Sequence, residues 1–492
     1  MSGVSAQTTG LWLGPVLAVV VGLTAGPDDS PEVGAMAGVA ALMSVWWITE
    51  ALPLGATSLV PLVLLPPLGI LSPTQVAGAY ASPIIFLYLG GFLIALAMER
   101  WDLHRRLALT VLANIGASAN RMILGFLLAS AGLSMWISNT ATAVMMLPIG
   151  LAVIGQLETA FGRERVRPCA LALLLAIAYG ASIGGVSTLV GTPTNLAFAL
   201  IHRRLFPGAA EITFAGWMLL ALPIALVLLA AAYVVLTRIA FSVDARLVPD
   251  PGIVRGELTA LGRPSREERL VLSVFTLTAL LWVFRADIVL GELRIPGWAG
   301  LWAPLGRVDD GTVAVAMALL LFMLPSRPNA ITGGRLLEPA ALSNIPWPII
   351  LLFGGGFALA EGFIESGLSQ HLAGVMTGVG DAPLWLTVAV ICAGVTLLTE
   401  LTSNVATVSM LLPLLGPVAV ARGFDPLELM VPATISASMA FMMPVATPPN
   451  AIVFGGSRLR IVDMVRAGLL LNVAGLLVIV VVTRWLLPLV QP

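Results

Sequence analysis

Lysine is absent from the 492 residues, histidine occurs three times and cysteine twice. Cys169 and Cys392 lie far apart in apolar surroundings, without the CxxC spacing of a metal or redox pair, and read as small buried residues. His104, His202 and His371 each fall near the end of an apolar run, so no histidine-based metal site or nucleophile can be assembled from sequence neighbours. An enzyme, such as an intramembrane hydrolase, is thereby disfavoured. Charge is equally scarce. Charged residues make up 10% of the chain and hydrophobic residues 58%, whereas a water-soluble domain carries roughly a quarter charged. A formal net charge of −1 also argues against a nucleic-acid partner.

What is present is a succession of apolar runs long enough for a bilayer core, with no long polar stretch between them. A single all-α, polytopic membrane domain over residues 1–492 is expected. Spans are predicted near 11–25, 34–49, 54–71, 80–98, 169–187, 214–240, 269–284, 312–325, 348–364, 430–444 and 467–489, eleven in all. The first has no basic residue before it and no recognisable cleavage site, and reads as a retained span rather than a signal peptide. Two further apolar stretches, 122–154 and 385–420, carry Ser-Asn pairs at their middles and are predicted to be re-entrant hairpins. With the N-terminus in the cytoplasm, eighteen arginines fall on inside segments and seven outside, while the first outside loop carries Asp28, Asp29 and Glu32. That bias orients the chain in an inner (plasma) membrane with its N-terminus inside and its C-terminus outside.

The chain also repeats itself. Residues 131–150, AGLSMWISNTATAVMMLPIG, match 396–415, TLLTELTSNVATVSMLLPLL, at a shift of 265, and the GGF at 90–92 matches that at 355–357 at the same shift. Gly191-Thr192-Pro193-Thr194-Asn195 resembles Ala446-Thr447-Pro448-Pro449-Asn450 at a shift of 255. Three blocks in one order indicate a duplicated unit, with cores at 80–204 and 348–456. The predicted span count makes the two copies inverted.

In hydrocarbon, a Thr-Pro interruption is tolerated only where backbone lines a cavity or meets protein. Proline removes an amide and breaks the helical ladder, and glycine at 191 permits close approach, so each interruption should split a helix and free carbonyl oxygens. Those carbonyls, with Ser and Asn side chains, are hard ligands suited to sodium. Helix N-termini at the Ser-Asn tips would present amides and positive dipole ends to an anion. Ser134 and Thr399, four residues before the two pairs, share their helical face and suit a common cation shell. The competing reading is that these polar residues merely join helices, at about 0.6 kcal/mol per contact.

At these residues the sequence resembles the divalent anion/sodium symporter family, which includes dicarboxylate, citrate and some sulfate carriers. The likeness covers an ITEALPLGATSLVPL segment at 48–62, both Ser-Asn hairpins and both Thr-Pro breaks. It implies a homodimer whose protomers divide into a scaffold and a mobile transport domain moving elevator-fashion. It implies a first sodium site at Ser134, Ser138, Asn139 and Gly191, and a second at Thr399, Ser403, Asn404 and Ala446. Substrate carboxylates would lie between the tips, near Asn139, Thr140, Thr192, Asn404, Val405, Thr447 and Pro448. The family's usual SNT is intact at 138–140, but the second copy reads Ser403-Asn404-Val405, one hydroxyl short. Other acids carry less. Glu400 beside the second motif is either functional or satisfied by backbone amides. Glu50, Glu99, Glu361 and Glu365 read as structural or interfacial. The run Arg100, Asp102, His104, Arg105, Arg106 marks a surface helix.

The function expected is sodium-coupled symport of a C4-dicarboxylate such as succinate, fumarate or malate. A sodium-independent exchanger, a citrate, tartrate or sulfate carrier, and a passive anion channel are the alternatives.

Overall fold

Helix starts follow the hydrogen-bonding residues placed before each apolar run. Ser118, Ser138, Thr213 and Asp309 each accept a bond from an amide in the turn that follows, and Ser265 and Asp425 close reciprocal capping boxes with Glu268 and Glu428. The structure, a computed structural model, describes residues 6–27, 30–115, 118–244, 246–248, 250, 252–290, 293–327, 334–376, 382–455 and 458–490. Asp28 and Asp29 lie outside the described residues.

The same elements recur in the same order in each half. A Gly-Gly-containing helix comes first, Pro83–Arg100 and later Trp347–Glu365, each followed by a short helix, Leu103–Ile115 and Leu368–Met376. A helical hairpin is next, Ala119–Ser134 with Asn139–Phe161 and then Leu384–Thr399 with Asn404–Ala421, the Ser-Asn pairs at the tips. A broken helix follows, Arg163–Val186 with Pro193–Leu205 and then Pro426–Ala437 with Pro448–Gly455. A long apolar helix closes each half, Phe214–Val234 and Ile461–Val490. Residues 169–186 of the first broken helix are buried without exception, which makes that helix the axis around which the rest packs.

Nine helices among the described residues are long and apolar enough to cross a membrane, and two of them, Asn139–Phe161 and Asn404–Ala421, are hairpin arms. Two of the expected spans need correction. The span predicted at 54–71 breaks into Leu54–Thr57 and Val60–Leu64, because Pro61, Pro66 and Pro67 deny the ladder its amides. The span predicted at 430–444 ends as a helix at Ala437 and continues unwound to Thr447. The fold is all-helical apart from one short strand pair among the described residues. Ile288–Leu290 pairs antiparallel with Leu293–Ile295, where a β-branched and apolar run is bounded by Asp287 and Pro296. The Gly297 amide and the Arg294 guanidinium hold the Asp287 carboxyl below the usual carboxylate range and fasten that hairpin.

Candidate functional site

Both hairpin tips and both helix breaks meet at one cavity of about 860 Å³. Its walls include Ser138, Asn139, Thr140, Gly191 and Thr192 from the first half and Ser403, Asn404, Val405, Ala446, Thr447 and Pro448 from the second. Four helices therefore start at its edge, at Asn139, Pro193, Asn404 and Pro448, and turn their positive ends toward it. No arginine or histidine is among the described lining residues, and Glu50 is their one charged member. A second cavity of about 740 Å³, walled by Phe198, His202, Phe206 and Trp217, contains none of the paired residues.

Ser134 and Thr399 are fully buried behind this wall and do not line it. Each reaches forward to the asparagine of its own tip. Ser134 donates to Asn139 Oδ1 at 2.5 Å. Thr399 Oγ1 lies 2.6 Å from Asn404 Oδ1 and 2.7 Å from the Ala437 carbonyl oxygen, a single hydroxyl proton facing two acceptors. In the first half the oxygens crowd a space the size of a methyl group. A carbon on Gly185 would stand 2.6 Å from Asn139 Oδ1 and 3.1 Å from the Gly191 carbonyl oxygen. One on Gly191 would stand 2.5 Å from the Gly185 carbonyl oxygen and 3.0 Å from that of Ser134. Converging uncharged oxygens with too few protons between them are the donor set a hard monovalent cation takes. No group of three or more His, Cys, Asp or Glu side chains that could hold a metal ion occurs among the described residues.

The breaks are braced alike in both halves. Asn195 donates to the Gly185, Val186 and Thr188 carbonyls and Asn450 to those of Ala440 and Met443, which match Gly185 and Thr188 at a shift of 255. Trp217 adds a bond to the Val186 carbonyl at 2.9 Å. The halves are also laced together. Tyr179 donates to the Phe441 carbonyl at 2.8 Å, and the Thr194 and Ser438 hydroxyls lie 3.0 Å apart. Asn195 and Asn450 are motif members whose bracing role has no local sequence signal. Glu50, Tyr88 and Trp136 join the cavity wall beyond the residues expected there. The ITEALPL segment was the available signal for Glu50.

A family model described as the sodium:sulfate symporter transmembrane region matches residues 7–491. The chain belongs to that family, the divalent anion/sodium symporters. It is a membrane transporter and not an enzyme. Over 489 residues it is 41% identical to the sodium-dependent dicarboxylate transporter SdcS of Staphylococcus saprophyticus, covering 98% of this chain and 92% of that protein. The protein of the same name from Staphylococcus aureus strain MRSA252 is 39% identical over 490 residues, with the same coverage. Two solved transporters share the fold at low identity. The YdaH transporter of Alcanivorax borkumensis superposes with a TM-score of 0.60 at 15% identity, over 92% of this chain and all of that one. Neisseria gonorrhoeae MtrF superposes at 0.52 and 13% identity, over 83% of each chain.

Proposed function

We propose that this symporter-family member couples inward sodium movement to uptake of a C4-dicarboxylate such as succinate, fumarate or malate. The observation that carries the reading is the cavity itself, in which two tips, two breaks and four helix starts surround a space without a basic side chain. A dianion placed there without counter-charge would be costly to desolvate, and helix dipoles and hydrogen bonds offset only part of that cost. Sodium supplies the rest. In this reading Ser134, Ser138, Asn139 and Gly191 hold one ion and Thr399, Ser403, Asn404 and Ala446 another. Asn139, Thr140, Thr192, Asn404, Val405, Thr447 and Pro448 face the substrate between them. The dicarboxylate named for the two staphylococcal relatives supports the substrate class.

The same reading makes residues 80–204 and 348–456 the cores of inverted repeats. The protein would work as a homodimer in the inner membrane, with a scaffold and a transport domain in elevator motion and the N-terminus in the cytoplasm. Ion pairing supports the division of the segments between two faces. Arg105–Glu257, Arg106–Glu268, Arg165–Asp244 and Arg458–Glu158 each join two segments expected inside, whereas Arg204–Glu361, Arg285–Asp310 and Arg294–Asp287 join segments expected outside. Ala6, Gln7 and Glu50 line the cavity at the N-terminal end of the first helix and the C-terminal end of the second, so with this orientation it reaches toward the cytoplasm.

In proteoliposomes, labelled succinate uptake is expected in sodium buffer and not in potassium or choline at the same pH. By linkage, substrate raises sodium affinity by the factor by which sodium raises that of substrate. Equal uptake in all three buffers, with strong stimulation by internal dicarboxylate, would replace symport by exchange. Val405 provides a finer test of the substrate face. Val405→Thr keeps the shape and adds a hydroxyl opposite Thr140, so the ratio of succinate uptake to sulfate or citrate uptake should shift several-fold at unchanged sodium dependence, about the worth of one hydrogen bond. Unchanged affinities for all three anions would remove residue 405 from the substrate face.

A further inference from the structure

Glu400 ends the first arm of the second hairpin, directly after Thr399, and is 2% exposed. Its Oε1 accepts bonds from the Phe441 and Met442 amides at 2.8 and 2.9 Å and from Asn472 Nδ2 at 2.8 Å. Oε2 accepts from the Met442 and Met443 amides at 3.1 and 2.9 Å. Every one of these partners is a neutral donor, and no ion pair to Glu400 is formed among the described residues. Both carboxyl oxygens only accept in this arrangement, each from two backbone amides, which is the pattern of a carboxylate.

The first half contains no counterpart. At the repeat shift of 265 the equivalent residue is Met135, and the tie between hairpin and break is there a neutral one, the Thr188 hydroxyl donating to the Met135 carbonyl at 2.5 Å. The difference follows from the length of the breaks. Residues 187–192 are short enough for Thr188 and Asn195 to serve, whereas residues 438–447 leave three consecutive amides pointing at the hairpin. One carboxylate satisfies all three and fixes the segment that follows the Ala437 carbonyl, which Thr399 also touches.

We propose that Glu400 makes the two sodium positions unequal. Its fixed negative charge, one residue from Thr399, raises cation affinity at the second position, which fills first. The first position lacks such a charge, binds its ion more weakly and fills second. Glu400 is a positioning residue in this scheme: it touches neither ion nor substrate, but holds the unwound segment and sets the local field. The proposal rests on the sodium-coupled reading given above.

Equilibrium binding of radioactive sodium to the purified full-length protein, without substrate, tests it. Wild type is expected to show two affinity classes about tenfold or more apart, a plausible separation for one unit charge near a partly buried ion. Thr399→Ala should remove the tight class and Ser134→Ala the weak one. Glu400→Gln should weaken the tight class by about tenfold or more, while the succinate KM at saturating sodium stays within about twofold of wild type; Glu400→Asp, which keeps the charge, should restore much of the loss. A single class in wild type, loss of the weak class in Thr399→Ala, or an unaltered tight class in folded Glu400→Gln would each overturn the proposal. If Glu400→Gln does not fold, the wild-type, Thr399→Ala and Ser134→Ala isotherms decide alone. Sodium-dependent uptake with one binding class refutes only this inference, whereas sodium-independent uptake refutes the symport reading beneath it.

Discussion

Asn139→Ala and Asn404→Ala should each reduce sodium-driven succinate uptake by about a hundredfold or more. Each asparagine stands at a helix start on the cavity wall and also accepts the hydroxyl of the buried residue behind it, Ser134 or Thr399. In the proposed scheme its amide serves the cation through Oδ1 and a carboxylate through Nδ2. Interactions with charged partners are worth about 1.5–3 kcal/mol each, and 1.4 kcal/mol is a factor of ten, so losing two exceeds a hundredfold. Asn139→Ala leaves the buried Ser134 hydroxyl short of an acceptor, at about 1–3 kcal/mol of stability, which a membrane domain with this much buried core should survive; in Asn404→Ala the Thr399 hydroxyl keeps the Ala437 carbonyl. Thermal melting in detergent beside the uptake assay separates the two effects. Near-normal uptake by either folded variant would take the asparagines out of the site.

Gly191→Ala should be nearly as damaging and for a different reason. The added carbon would stand 2.5 Å from the Gly185 carbonyl oxygen and 3.0 Å from that of Ser134, neither of which belongs to a flexible side-chain end. It would occupy the space where those oxygens converge, and the backbone would have to move to admit it. The sodium concentration for half-maximal uptake is expected to rise at least about tenfold, in keeping with the loss of at least one oxygen ligand. An unchanged sodium requirement would place the first ion elsewhere. The repeat-related Ala446 already carries a methyl group, so the second position cannot be a copy of the first in its geometry.

Much of this was legible in the sequence because the informative residues are local. Each Ser-Asn pair before an apolar run marks a helix start, with Ser138 capping its helix through its side chain, and each Thr-Pro step starts a new one. Their repetition at fixed shifts located both hairpins and both breaks before any coordinates. Hydropathy was a poorer guide where proline lay inside an apolar run: residues 54–71 are greasy enough to span but cannot keep one helical ladder. It failed likewise at 438–447, where burial in protein lets unwound backbone stay apolar in composition. The role of Glu400 was out of reach for a plainer reason. Its donors at 441, 442, 443 and 472 come from other elements, and no local pattern announces them.

The two matched halves of the chain disagree at two places on the cavity wall and at a third behind it. Thr140 faces the cavity from one side and Val405 from the other; glycine at 191 answers alanine at 446; methionine at 135 answers glutamate at 400. A cavity with true two-fold symmetry would accept a dicarboxylate either way round. With the proposed dicarboxylate in this one, the two carboxylates would meet different neighbours, so a molecule whose own ends differ would acquire a preferred direction. Succinate and fumarate look the same after being turned end over end, whereas malate does not. The hydroxyl missing at 405 would thus make the transporter a reader of head and tail, holding malate one way round.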